Sequence, residues 1–322
     1  MPTANKILLL IFLCFSSTMA LSAQSYSEYD PRGWEYDFSA SLETSLLRGK
    51  SKELVYLQSD GRKLSELAWD LTDVPMLGLK LQADVNEDWI VTLGGWRNIG
   101  PGSGIMVDTD WRLPSDPNFW TDQSIHNVDL VKGEILDFSL AYRLLALRDY
   151  PFAFRLKAGL RYISWKWEDF LISTIGSSSP SGGGLRDISL PGSGERGIDY
   201  SQWFTVPYLG AEFESTLFQT QVIARGSASS WVFARDRDFH RNRQTLFEES
   251  ATGGRYYSLG IELKRMLFEL VELSLAYDFE QVREVRADTL VTSLILPPKK
   301  FEDGAGISYR SQRLTLGIIY NF

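Results

Sequence analysis

The sequence predicts an all-β protein, a single antiparallel transmembrane β-barrel of about ten strands with short turns at one rim and long loops at the other. Three observations predict it. Apolar and polar residues alternate with a period of two along most of the chain, which marks strands whose two faces meet different environments. The connections fall into two lengths, tight polar links and long segments rich in Gly, Ser, Pro and Asp. Aromatic residues, 13% of the chain, gather toward the ends of the apolar stripes, and the chain closes on Phe322, a pattern of barrels that face lipid.

The N-terminus reads as an export signal. Lys6 precedes the apolar run from Ile7 to Phe15, and the small residues Ser16, Ser17, Ala20, Ser22 and Ala23 follow. Residues 1–23 are therefore expected to form a signal peptide cleaved near Ala20 or Ala23, leaving residues 24–322 as the barrel. The run is too short to cross a bilayer as a helix. Cys14, the one cysteine, lies inside it, so the mature chain would carry no disulfide. Loss of Lys6 takes the formal charge from −8 to −9, which argues against nucleic acid as a partner and suits basic peptides.

The strands follow in order at roughly 34–57, 62–84, 89–98, 128–146, 151–172, 194–214, 218–238, 255–265, 269–287 and 304–322. Leu136, Phe138, Leu140 and Tyr142 share a face against Asp137, Ser139 and Arg143. Phe152, Phe154, Leu156, Ala158 and Leu160 do so against Arg155, Lys157 and Arg161, and Leu314, Leu316, Ile318 and Tyr320 against Arg313, Thr315 and Asn321. Short links at 85–88, 147–150, 214–217 and 265–268 alternate with long loops at about 100–127, 172–195, 239–254 and 288–303. The run from Ser177 to Gly184 reads as a flexible loop tip. A closed barrel leaves no unpaired strand edge in lipid.

Candidate chemistry gathers near the long-loop rim. Asp236, Asp238 and His240 are spaced by two, so an extended strand projects all three to one side. A carboxylate beside an imidazole makes a general-base pair, although a solvated strand end holds the same residue types. Asp108 and Asp110 are also two apart. Held close, two carboxylates push at least one pKa upward, while a calcium-binding or solvent loop would carry the same pair. Ser124 and His126 form a Ser-x-His pair, open either to a nucleophile with its base or to residues that shape the loop. No zinc spacing, phosphate-binding glycine loop or dinucleotide fingerprint is present in the sequence.

Several motifs in order resemble the omptins, outer-membrane proteases of Gram-negative bacteria. They are Gly49-Lys50-Ser51-Lys52-Glu53 with Val55-Tyr56, Gly61-Arg62-Lys63, Met106 to Trp111, Trp120-Thr121-Asp122, Gly194-Glu195-Arg196, Pro207-Tyr208, and Ser230-Trp231-Val232 leading to Asp238 and His240. The resemblance implies an aspartyl-type endopeptidase with its groove at the extracellular rim. Asp238 and His240 match the Asp-His dyad, and Asp108 and Asp110 the facing carboxylate couple. A water between His240 and Asp108 is the nucleophile in that scheme, with no serine, metal or cofactor. Glu53 and Asp236 match an acidic pocket for Arg or Lys, and Ser124 and His126 match positions that support activity. The implied partners are outer-membrane lipid and polypeptides with basic residues.

Departures bear on specificity and activation. Phe239 stands where the family has an acid between the dyad members, and Arg235 and Arg237 flank the site. Period two puts these three on the face opposite Asp236, Asp238 and His240. Lipopolysaccharide is the activator the resemblance raises, but Leu160, Tyr162 and Ser164 stand at the positions of its Tyr-x-Glu-x-Arg cluster, so that site is not carried over. A proteolytically weak barrel acting as an adhesin is the second reading. A diffusion pore is the third, disfavoured by lumen side chains as large as Arg155, Lys157 and Arg161.

Overall fold

The computed structural model describes residues 37–85, 88–147, 152–179 and 183–322. The expected signal peptide lies outside these residues, as do the centres of the links at 85–88 and 147–150. Among the described residues there are fourteen strands. They are β1 (Asp37–Tyr56), β2 (Lys63–Asp84), β3 (Trp89–Asn98), β4 (Gly102–Asp110), β5 (Asp122–Leu147), β6 (Phe152–Gly176) and β7 (Ile188–Pro191). The chain continues through β8 (Arg196–Leu217), β9 (Thr220–Ser229), β10 (Phe233–His240), β11 (Thr245–Thr252), β12 (Tyr256–Phe268), β13 (Val271–Ser293) and β14 (Lys299–Asn321).

These reduce to the ten staves that alternation predicts. β3 and β4 run end to end between β2 and β5, and β9 and β10 run end to end along β8. β12 and β11 likewise share β13. β7 is a short flap on β6. All pairings are antiparallel, and the ring closes where β14 meets β1 from Ser39↔Asn321 to Val55↔Ala305. The breaks have local causes. Pro101 has no N–H to give a ladder, and Gly253 and Gly254 take φ of +111° and +94°, a region costly to other residues.

The lower half of the ring inverts the pattern of a soluble protein. Leu42, Leu46, Leu136, Leu160, Leu259 and Ile318 face outward and are exposed, while Ser41, Glu43 and Ser45 are buried inside. That arrangement suits a barrel whose outer face meets lipid. Aromatic pairs ring its lower border, Phe38 with Phe322 at 5.3 Å, Trp89 with Tyr142 at 4.8 Å and Phe152 with Phe213 at 5.8 Å between centroids. Inside, a cavity of about 350 Å³ is lined by paired charges. Lys80 sits 3.1 Å from both Glu43 and Glu262, and Arg161 lies 2.7 Å from Glu280 and 3.1 Å from Asp137.

Above this lumen the barrel is filled by a packed aromatic floor. Trp69, Trp165, Trp167, Tyr200, Phe204 and Tyr309 are fully buried or nearly so. Trp69 stacks on Tyr200 at 4.9 Å, and Trp167 lies against Tyr200 at 5.7 Å. Side chains of this size fill the bore at this level.

The strands continue well above the floor, and here the sequence-based boundaries were short. Residues 102–110 and 122–127 were expected in a loop but lie on β4 and β5, and 245–252, also expected in a loop, form β11. Clear of lipid, the outward face meets water and no longer needs apolar residues. The alternation therefore fades although the pairing persists.

Candidate active site

The extension above the floor holds the groups picked out from sequence, drawn from separate staves. On β10, Ala234, Asp236 and Asp238 point inward and are buried, while Arg235 and Arg237 are exposed on the outer face. The register explains the split, since each β10 residue is pinned between β8 and β11, with Asp236 opposite Gln202 and Glu249. Asp238 Oδ2 lies 2.6 Å from His240 Nε2, and the ring meets Phe247 edge-on at 5.2 Å. The Arg243 guanidinium, in the turn between β10 and β11, contacts Nδ1 of the same ring.

Asp108 and Asp110 project from β4, with Ser65 of β2 directly opposite Asp110. Ser65 Oγ donates to Asp108 Oδ1 at 2.9 Å, and Arg112 pairs with Asp110. The carboxylate couple is thus eased by a hydroxyl and a cation that the motif itself does not contain. Burial, then the charge of Asp110, pushes the Asp108 carboxyl up to about 6, and the nearness of His240 pulls the other way. The imidazole on β10 therefore lies within electrostatic reach of the acid on β4.

Between these walls lies a cluster of buried acids. Glu53 on β1 is buried, and burial followed by the charges of Asp238, Asp236 and Asp108 holds its carboxyl well above the usual range. Burial pushes Asp236 up to about 6, opposed by hydrogen bonds from Glu249 and from Tyr200, whose hydroxyl donates to Asp236 Oδ2 at 3.0 Å. Glu249 is raised by its own burial and then by Asp236 and Glu53. Charged carboxylates in such a space are stabilised by an incoming cation.

Ser124 and His126 lie on β5 rather than in a loop, and they do not join His240. His126 Nε2 is 2.7 Å from Ser124 Oγ, and His126 Nδ1 is 2.5 Å from Asp169 Oδ2 on β6. Ser124 is the register partner of Asp108. Sequence reasoning missed Asp169, Glu249, Ser65 and Arg243. The signal for two of them was present in the period of two, since Trp165, Trp167 and Asp169 form one inward row on β6, as do Phe247 and Glu249 on β11.

A family model described as "Omptin family" matches residues 34–322. The chain belongs to the omptin family. A plasminogen activator of Yersinia pestis is 27% identical over the whole of both chains. The outer membrane protease IcsP of Shigella flexneri is 28% identical over 70% of this chain and 71% of its own. The crystal structure of the outer membrane protease OmpT from Escherichia coli superposes with a TM-score of 0.83 at 26% identity, covering 89% of this chain and 97% of that one. This omptin is an outer-membrane β-barrel of a protease family.

Proposed function

We propose that this omptin is an endopeptidase that hydrolyses peptide bonds next to or between Arg and Lys residues, with its groove on the extracellular side. A water held between Asp108 and His240 attacks the scissile carbonyl. The observation that carries this reading is the buried Asp238 2.6 Å from His240, whose ring lies within electrostatic reach of an Asp108 carboxyl raised to about 6. Asp238 orients the imidazole and balances its positive charge as it takes the proton. Asp110 and Ser65 hold the facing acid in place, and the couple titrates as a unit. Substrate recognition is assigned to Glu53 and Asp236.

In Asp236→Asn or Glu53→Gln, kcat/KM for a dibasic peptide should fall by roughly 10- to 100-fold, because an incoming cation loses a buried charged partner. A peptide with neutral side chains at the same positions should lose far less. Equal losses for both peptides would take the pocket out of substrate selection.

Arg243 bears on the same chemistry. Asp238 occupies Nε2, so Nδ1 is the nitrogen left to receive the proton of the water, and the Arg243 guanidinium stands there. That side chain must withdraw before turnover. Arg243→Ala should therefore raise kcat/KM several-fold. A fall instead would show that Arg243 assists the site. The reading as a whole is tested by refolding the protein in detergent with lipopolysaccharide and assaying a dibasic fluorogenic peptide. No turnover in either the parent or Arg243→Ala would favour the adhesin reading.

A further inference from the structure

We propose that Asp169 is a positioning residue for the reaction, setting through His126 the direction of a hydrogen-bond chain that ends at Ser124 beside Asp108. This rests on the assignment of Asp108 to water activation. Asp169 is completely buried on β6. Its Oδ1 accepts the backbone N–H of Gly197 at 2.9 Å and that of Ile198, at the start of β8. A Cβ on residue 197 would lie 3.1 Å from that oxygen, so glycine lets the backbone come this close. The carboxylate is thereby held with Oδ2 aimed at His126.

Oδ2 lies 2.5 Å from Nδ1 of the ring, a close contact in which neither atom has a well-aligned hydrogen bond, so a small turn of the ring completes the link. Two lone pairs would repel at that separation, so Nδ1 carries a hydrogen. In the neutral ring Nε2 is then an acceptor, and Ser124 Oγ, 2.7 Å away, donates to it. With its hydrogen committed, the Ser124 hydroxyl can only accept toward the groove. Its register partner there is Asp108, on the same face of the sheet. The chain thus presents a lone pair to the O–H of a protonated Asp108 or to a water beside it, and contributes no competing donor. The other influences on Asp108 are the direct charge of His126 when its ring is protonated, Asp110 on its own strand, Ser65 on β2, Glu53 on β1 and His240 on β10. Asp169 itself acts on His126 and on Asp238.

Asp169→Asn is the test, because the side chain keeps its size while the chain reverses. Asn Oδ1 goes on accepting from Gly197 and Ile198, and its NH₂ now faces Nδ1. The imidazole must then carry its hydrogen on Nε2 and donate to Ser124, whose hydroxyl turns to donate to Asp108. A hydrogen bond to the ionised acid lowers its pKa. In the folded variant, kcat on the dibasic peptide should fall by at least about tenfold with KM little changed, and the acidic limb of its pH profile should move to lower pH. In a Ser124→Ala background the same change should cost little more, because the chain is already cut. Wild-type kcat and an unmoved limb in Asp169→Asn, or additive losses with Ser124→Ala, would overturn the proposal. A purely structural role for Asp169 moves no limb.

A second measurement needs neither a variant nor activity. The chain has two histidines, so ¹⁵N-histidine NMR of the refolded barrel has two rings to assign. The neutral His126 ring should carry its hydrogen on Nδ1, and finding it on Nε2 would overturn the proposal even if Asp169→Asn fails to fold. Absence of turnover in the wild type would remove the peptidase reading instead, leaving the tautomer result to stand or fall separately.

Discussion

His240→Ala should lose at least about 10³-fold in kcat on a dibasic peptide while its barrel stays folded, because in the proposed reaction the variant removes the ring that takes the proton of the water. The side chain lies at the end of β10, 15% exposed, and the packed floor of Trp69, Trp165 and Tyr200 does not depend on it. Detergent-refolded variant and parent should therefore share the same circular dichroism spectrum and melting behaviour. Asp238→Asn should lose a large part of the same activity, since an amide orients the ring but cannot balance an imidazolium. Ser124→Ala should retain more activity than either. If His240→Ala cleaves as fast as the parent, or Ser124→Ala is the variant that is dead, water activation by the imidazole is wrong.

Asp108→Asn changes both activity and stability, with opposite signs. In the proposed reaction the acid serves the attack as a carboxylate, so activity of the parent should rise as pH increases through about 6. The asparagine variant should lose about 10²-fold or more in kcat, together with that acidic limb. Stability runs the other way. Because the folded-state pKa of Asp108 lies above the ordinary 3.8, its contribution to stability is fully present below pH 3.8 and is lost as pH rises to about 6. The parent thus pays for an ionised, partly buried acid at pH 8, and Asp108→Asn should be more stable there by of order 1–3 kcal/mol. Near pH 4 the difference should shrink. Thermal or denaturant unfolding of the two proteins at both pH values checks the sign, and a variant less stable than the parent at pH 8 would refute this account of the acid.

What could be read from sequence followed from where the environment changes across a sheet. In the lower barrel, lipid outside and water within force Leu42, Leu46 and Ile318 to alternate with Ser41, Glu43 and Ser45, and that contrast is written in the order of the residues. Above the lipid both faces meet polar surroundings, so β4, β11 and the top of β5 looked like loops. That Asp236 and Asp238 share the inward face leading to His240 was legible because the three lie two apart on one strand, and the outward turn of Arg235 and Arg237 followed from the same period. Partners supplied by register were not. Ser65 reaches Asp108 across β2 and β4, Asp169 reaches His126 across β6 and β5, and Glu249 faces Asp236 across β11 and β10. Arg243 reaches His240 through a tight turn whose shape nothing in the local sequence announces.

The account stands on one water shared by two staves on opposite sides of the groove. A crystal structure of the refolded protein with an uncleavable reduced-amide dibasic peptide in the groove tests it most directly. The account predicts Arg243 withdrawn and a single ordered water in hydrogen-bond reach of both Asp108 and His240 Nδ1, the two groups standing about 5–6 Å apart. Asp108 and His240 too far apart for one water to join them, or a ring turned away from the acid, would contradict it.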